Sequence, residues 1–212
     1  MTIDLLKDAK AAFKRLDEKK QDKILQACLD EFAEEGFETA STNRIAEKAG
    51  IAKGSIFKYF GTKEKMFFTV VNNLLLKYLA AVKKSIPEMP KDVLERYMFF
   101  MEETLDYLGG DMKMFKAFYR IMSEKGELIK KLRKSWEPMI EPMMEEFFAG
   151  ANLENMSISI GEFARFFNWI DGAIDADIYD NITSRTTPEE LKKMYRERIE
   201  LVAKILKKGI YK

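Results

Sequence analysis

The stretch Ser41–Lys63, STNRIAEKAGIAKGSIFKYFGTK, decides how this chain folds. Ser41 or Thr42 suits the N-cap of a short helix whose apolar face is Ile45, Ala46 and Ala49, at i, i+1, i+4 spacing. Gly50 falls where a left-handed residue must end that helix, and Ile51 then turns back toward the core. A second helix is predicted over Lys53–Phe60, with Ile56, Phe57 and Phe60 facing inward. Ala46, Ala49, Ala52 and Gly54 are small where two helices must approach closely. The pattern predicts a helix-turn-helix, the geometry that lays its second helix in the major groove of DNA.

Charge distribution points the same way. From Ser41 to Lys65 there are six basic residues (Arg44, Lys48, Lys53, Lys58, Lys63, Lys65) against two acidic ones, Glu47 and Glu64. The preceding Asp30–Glu38 holds five carboxylates and no base. Because the whole chain balances 36 basic against 35 acidic residues, the positive face is local, as phosphate binding requires.

Composition excludes several chemistries. The chain has no histidine, which removes histidine catalysis, His–Cys zinc sites and Ser-His-Asp triads; no catalytic residue, metal site or cofactor is expected. The single cysteine, Cys28, lies on the apolar face of Ile24–Cys28–Phe32 and reads as core packing in a reducing cytoplasm. No apolar run is expected to reach the length of a membrane span, and MTIDLLKDAK lacks a signal-peptide core, so no membrane partner is expected. With only 5 prolines and few β-branched runs among 212 residues, the predicted fold class is all-α.

Working outward from the motif, Asp22–Glu35 is predicted as a helix stopped by Gly36, with Phe37 packing in the turn. Thr62 suits the cap of a long helix from Lys63 to about Ser85, broken by Pro87–Pro90. Asp92 with Glu95 predicts a capped helix to Leu108, ended by Gly109–Gly110. Asp111–Glu124 and Glu127–Phe148 follow, and Pro138 and Pro142 predict a kink or a fresh start near Ser135. Helices are then expected from about Ser159 to Asp180 and, after the Thr187-Pro188-Glu189-Glu190 capping box, to about Lys208. The resulting division is an N-terminal extension over 1–20, a DNA-binding domain over 21–66 and a helical domain over 67–212.

This arrangement resembles the TetR (tetracycline-repressor) family of bacterial transcription regulators. The residues that carry the resemblance are FAEEGFETAST followed by NRIAEKAGIAKGSIFKYFGTKEKMF, within residues 22–68; the remainder matches in length and helical content. The resemblance implies an N-terminal three-helix DNA-binding domain and a C-terminal helical domain for effector binding and dimerisation. It also implies a homodimer on palindromic operator DNA, released when a small effector respaces the recognition helices. Carried over by position, Thr42 would meet a phosphate and Asn43 a phosphate or base, with Arg44 beside them among the DNA-binding residues. Lys53, Gly54, Ser55 and Lys58 would face the groove, and Tyr59 and Lys63 would hold phosphates. Two positions depart from the family pattern: Ala52 where a capping Ser or Thr is common, and Phe57 where a tyrosine is common.

In the C-terminal part, Met98, Met101, Phe115, Phe118, Tyr119, Met122, Trp136, Met139, Phe166, Phe167, Trp169 and Ile170 form either an ordinary core or a plastic pocket. The scarcity of buried charges expected there favours an apolar or amphipathic effector, with Tyr119, Asn168 and Asp171 as candidate polar anchors. Stripes that include Phe163, Phe167 and Ile174, and Tyr195, Val202 and Ile205, either close the monomer or, by the family analogy, pair with their copies in a four-helix dimer interface. The basic, amphipathic Met1–Lys20 either adds phosphate contacts, docks on the neighbouring domain or caps the first helix. The competing classes are a helical protein-interaction module, whose basic helix binds an acidic partner, and a helical enzyme using Asp, Glu, Lys or Tyr.

Overall fold

A computed structural model describes residues 8–108, 110, 112–123, 126–154, 156–183 and 185–207. Its first helices are placed by local signals. A one-turn helix α1 (Ala11–Lys14) precedes Asp17, whose carboxylate accepts from the Lys20 N–H and opens α2 (Glu18–Thr39). That cap starts α2 one turn earlier than the apolar pattern at Asp22 predicts. At Gly36 (φ 76°, ψ 173°) α2 breaks its helical path, as expected for a glycine stop, before Phe37 stacks on Phe32 and meets Phe67 edge to face. Then come α3 (Thr42–Ala49), α4 (Lys53–Phe60) and the long α5 (Lys63–Ser85), opened by Thr62 accepting from the Lys65 N–H.

A 3₁₀ turn over Ile86–Glu88 ends α5. Asp92 then accepts from the N–H groups of Leu94 and Glu95 and opens α6 (Val93–Leu108). α7 (Met112–Ser123) is followed by α8 (Glu127–Phe148), which carries both Pro138 and Pro142 inside one continuous helix rather than restarting near Ser135. α9 (Ile160–Asn181) and α10 (Pro188–Leu206) each begin at a capping box, Ser159/Glu162 and Thr187/Glu190. No strand occurs among the described residues; one isolated bridge joins Asp92 and Asn152.

The chain divides into two compact units, residues 1–80 with 116–137, and residues 81–115 with 138–212. The core of the first unit is Phe13, Ile24, Cys28, Phe32, Ile45, Ile56, Phe60, Met66 and Phe67, all buried. Phe13 and Phe60 lie 4.9 Å apart, and Phe32 meets Phe67 edge to face at 5.0 Å. The N-terminal extension therefore docks: Phe13 enters this core, and the Lys10 N–H donates to the Tyr59 carbonyl. Leu5 and Leu6, apolar residues of the amphipathic Met1–Lys20 segment, lie outside the described residues. Cys28 is buried, and desolvation pushes its thiol far above the ordinary range, which leaves it an inert packing group.

One expectation is corrected here. Lys63–Glu88 is long and apolar enough to cross a membrane, with mean hydropathy 1.2 over its most apolar window. The apolarity belongs to a core helix, because Met66, Phe67, Val70, Val71, Leu74, Leu75 and Tyr78 are buried inside the protein.

In the second unit α6 packs along α10, and α9 packs on α10. The expected scarcity of buried charge does not hold there. Arg96 is buried on α6, and its guanidinium donates to the carbonyls of Pro90 (2.6 Å), Phe147, Ala149 (3.0 Å) and Met89. One side chain thus caps the orphan carbonyls at the end of α8 and ties them to the turn before α6. Replacing it by methionine keeps an unbranched apolar stem but leaves those carbonyls without their donor. Arg96→Met is expected to cost about 2 kcal/mol or more, read as a lower urea midpoint; an unchanged midpoint would show that water satisfies them equally well.

Candidate nucleic-acid interface and effector cavity

The turn between α3 and α4 is built as the spacing predicts. Ser41 accepts from the Arg44 N–H at the N-cap of α3, and Gly50 ends it at φ 69°, ψ 38°. Ile45, Ala46 and Ala49 are buried, and Ala52 at the start of α4 makes no side-chain cap. On α4, Ile56, Tyr59 and Phe60 face inward. Phe57 does not: it is 50 % exposed and shares the solvent face with Lys53, Gly54 and Lys58. The inward assignment of Phe57 is thus corrected, because Tyr59 takes the buried place, edge to face with Phe13 at 5.9 Å. A Cβ placed on Gly54 would meet nothing within 4 Å, so the protein's own packing does not require glycine there.

The remaining expected contacts sort by what already holds them. Asn43 is exposed, whereas Thr42 and Ser55 are half-buried. Arg44 is turned back: its Nε lies 2.7 Å and a terminal nitrogen 2.6 Å from Glu31 Oε1, with Glu35 also in reach. Lys63 donates to the Glu38 carbonyl at 2.9 Å and covers the Phe37 ring, 5.1 Å from its centre. Lys10, from the N-terminal segment, brings its ammonium to the Phe57 carbonyl at 3.3 Å.

The second unit holds a partly open cavity of about 170 Å³. Val82, Phe100, Met143, Met144, Phe147 and Phe167 supply apolar wall, and Tyr97, Asn168 and Asp171 supply polar groups. The Tyr97 hydroxyl donates to Asp171 Oδ1. Burial pushes the Asp171 carboxyl up to about 7; Tyr97 opposes the rise and neighbouring Asp175 adds to it. Of the effector residues expected from sequence, Phe167 is the one among the described residues that lines this cavity. Phe118, Tyr119 and Trp136 belong to the other unit, where Trp136 donates to Asn72 at 2.8 Å. Met101 and Phe115 are buried elsewhere, Trp169 is 65 % exposed, and Met98, Met139, Phe166 and Ile170 are half-buried away from the cavity walls. The side chain of Met122 lies outside the description. Two of the three anticipated anchors, Asn168 and Asp171, are at the wall.

The residues expected at a subunit interface also divide. Phe163, Phe167, Ile174 and Tyr195 are buried inside the protomer, so no partner chain can reach them. Val202 is half-buried, and among the described residues of the second unit the exposed large apolar side chains are Ile160, Trp169, Leu201 and Ile205.

Residues 24–70 match the model of the TetR-family bacterial regulatory proteins. Along its length the chain is similar to the HTH-type transcriptional regulator RutR of Escherichia coli K12, 28% identical over 204 residues, covering 85% of this chain and 90% of RutR. The chain belongs to the TetR family. It is a DNA-binding transcriptional regulator with an N-terminal helix-turn-helix and a helical C-terminal part. An uncharacterized HTH-type regulator of Bacillus subtilis, YfiR, is 25% identical over 173 residues, 76% of this chain and 82% of that one. The fold is shared with two solved structures. The fatty acid degradation regulator FadR of Bacillus halodurans superposes with a TM-score of 0.70 at 17% identity, over 89% of this chain and 97% of that one. FadR of Bacillus subtilis, solved in complex with stearoyl-CoA, superposes with a TM-score of 0.66 at 16% identity, over 86% and 97%.

In this TetR-family protein the group that sequence reading missed is Glu31. It sits in the acidic run of α2 with a side chain 0 % exposed. Its Oε1 accepts from the Ser41 N–H at 2.8 Å and from Arg44, and its Oε2 accepts from Lys48 at 3.2 Å. Burial alone would raise its pKa, but the hydrogen bonds from Arg44, Ser41 and Lys48 outweigh it and hold the carboxyl below the usual range. The one sequence signal was spacing: an acid one turn before the end of an apolar helix, with Arg44 and Lys48 four apart on the next. A carboxyl with a lowered folded pKa stabilises the protein above its unfolded value of about 4.3, and that stability is lost as pH falls through the folded value. Glu31→Gln is expected to cost about 1–3 kcal/mol at pH 7 and to flatten stability between roughly pH 5 and pH 3. Urea unfolding at several pH values checks this; parallel curves for parent and variant would contradict it.

Proposed function

We propose that this regulator represses transcription by holding operator DNA as a homodimer, and that an apolar or amphipathic small molecule in the cavity of the second unit releases it. The observation that carries the DNA reading is the solvent face of α4. Lys53 and Lys58 offer cations for phosphate or base edges, Phe57 offers an apolar ring suited to a thymine methyl, and Gly54 leaves room for close approach. Arg44 and Lys63 are already engaged with the protein's own oxygens, so they contribute to DNA binding less than Lys53 and Lys58 do. Residues 21–66 then act as the reader and 67–212 as the sensing and dimerising part, with the N-terminal extension bracing α4. Site of action is the cytoplasm, where the operator is.

The effector half of the reading is supported by the partly open cavity and by the FadR fold neighbour that holds stearoyl-CoA. α5 carries the chain across the change of unit at Ala80–Ala81, and is the expected transmitter. Coupling of about 1–3 kcal/mol, typical of such systems, requires only that ligand affinity differ between DNA-bound and free conformations. Dimerisation is assigned to the apolar residues left in solvent on α9 and α10: Ile160, Trp169, Leu201 and Ile205.

Three variants test the DNA face. Lys53→Ala and Lys58→Ala are each expected to weaken binding to a selected operator fragment and to reduce the salt slope by about one. Gly54→Ala separates function from folding: alanine should stabilise the helix by about 0.5–1 kcal/mol while its methyl obstructs the groove and weakens binding. Parent-like operator affinity in all three would move the recognition face elsewhere. For the dimer, Trp169→Glu or Leu201→Glu should shift sedimentation to monomer without lowering the melting temperature of the monomer fold. A monomeric parent at micromolar concentration would remove the dimer reading.

A further inference from the structure

The chemistry of the cavity wall goes further than its apolarity. Its apolar groups surround one acidic corner, and among the described residues no lysine or arginine lines it. Asp171 stands one helical turn before Asp175 on α9, so the two carboxylates share a face. Among the described residues, Tyr97 is the hydrogen-bond donor to Asp171 and Tyr195 the donor to Asp175. Among the described residues, no cation acts on either carboxyl. Arg96, next to Tyr97 in sequence, spends its donors on backbone carbonyls. A tyrosine supplies one proton and no charge, so it leaves each acid short of a counter-ion.

We propose that this cavity selects a lipophilic amine, whose apolar body fills the Phe–Met wall and whose protonated nitrogen donates to the Asp171 carboxylate. The proposal rests on the cavity being an effector site and names the ligand class that site takes. An ammonium head gives the Asp171 carboxylate a counter-ion, whereas a fatty carboxylate placed at the same corner brings a second acid beside it with no cation to meet it among the described residues. Burial holds Asp171 close to neutral pH in its protonation, so an arriving cation can draw it fully into the charged form. Size sets the probe. An engineered apolar cavity of about 150 Å³ accepts benzene, and the present volume of about 170 Å³ suits one ring with a short head. Met143 and Met144, at the wall, supply slack for longer ligands.

The test uses the full chain with ¹³C-labelled methionine methyl groups, assigned by Met143→Leu and Met144→Leu. It is titrated at pH 7.5 with three compounds of matched shape: benzylamine, benzyl alcohol and benzoate. Benzylamine is expected to move the Met143 and Met144 methyl resonances with an affinity about tenfold or more above benzoate. Asp171→Asn should weaken benzylamine about tenfold while changing benzyl alcohol less than about threefold. Benzoate binding the parent as tightly as benzylamine overturns the proposal, and that comparison needs no variant to fold. So does an Asp171→Asn protein that keeps full benzylamine affinity. Benzyl alcohol binding without preference for the amine leaves the effector-site reading standing and removes the amine. If none of the three compounds moves either methyl, the effector-site reading falls as well.

Discussion

Glu31 has its carboxylate sealed from solvent on α2, and three donors from the neighbouring helix hold it there: the Ser41 N–H, the Arg44 guanidinium and the Lys48 ammonium. A buried carboxylate is tolerated only when its lone pairs are met, so α3 has little freedom to rotate or slide against α2 while the charge persists. The position of α3 in turn places Gly50, and Gly50 places α4. The constraint that fixes the presentation of Lys53, Phe57 and Lys58 is therefore an ion cluster on the opposite side of α3, reinforced by the Ile45–Ala46–Ala49 contact beneath it. This cluster also accounts for part of the apparent basic excess of the motif. Arg44 and Lys48 neutralise the acidic run that precedes them, and the charge left for phosphate is carried by fewer residues than a count along the chain implies.

Most of the helix-turn-helix was legible because its signals are local. A glycine at φ 69°, a serine at the N-cap and apolar residues at i, i+1, i+4 each act within one turn of chain. Thr62, Asp92 and Thr187 were readable as caps for the same reason. Phe57 was misread because Tyr59 and Phe57 lie on opposite sides of a short helix, and either aromatic could have been the inward one. Phe13, arriving from the N-terminal segment, decides the matter by offering its ring to Tyr59 and Phe60. That contact spans more than forty residues and leaves no trace in local periodicity.

The second unit was legible as helices and opaque as a site. Methionines and aromatics mark an apolar interior, but which of them meet depends on how α6, α8 and α9 are packed, and composition does not encode that. The cavity draws on Met143 and Met144 near the end of α8 rather than on Met98 and Met101 of α6. The polar groups are the more informative part. Arg96 serves the backbone, whereas Tyr97, the next residue, donates to Asp171 at the cavity, so adjacent positions on one helix divide backbone capping from the polar lining of the cavity. The apolar stripes of α9 and α10 behaved similarly: their inner residues close the protomer, and the surplus, Trp169, Leu201 and Ile205, stays in solvent, where the proposal puts the second copy.

The most direct measurement of the central claim, that an α2–α3 clamp presents α4 to a specific DNA sequence, is selection of binding fragments from the source genome by the purified full chain, followed by footprinting. The account predicts enrichment of a palindromic site, with two protected half-sites centred about one helical turn or a multiple of it apart, in keeping with one α4 per major groove. Recovery of fragments with no shared sequence, bound no more tightly than competitor DNA at physiological salt, would contradict it.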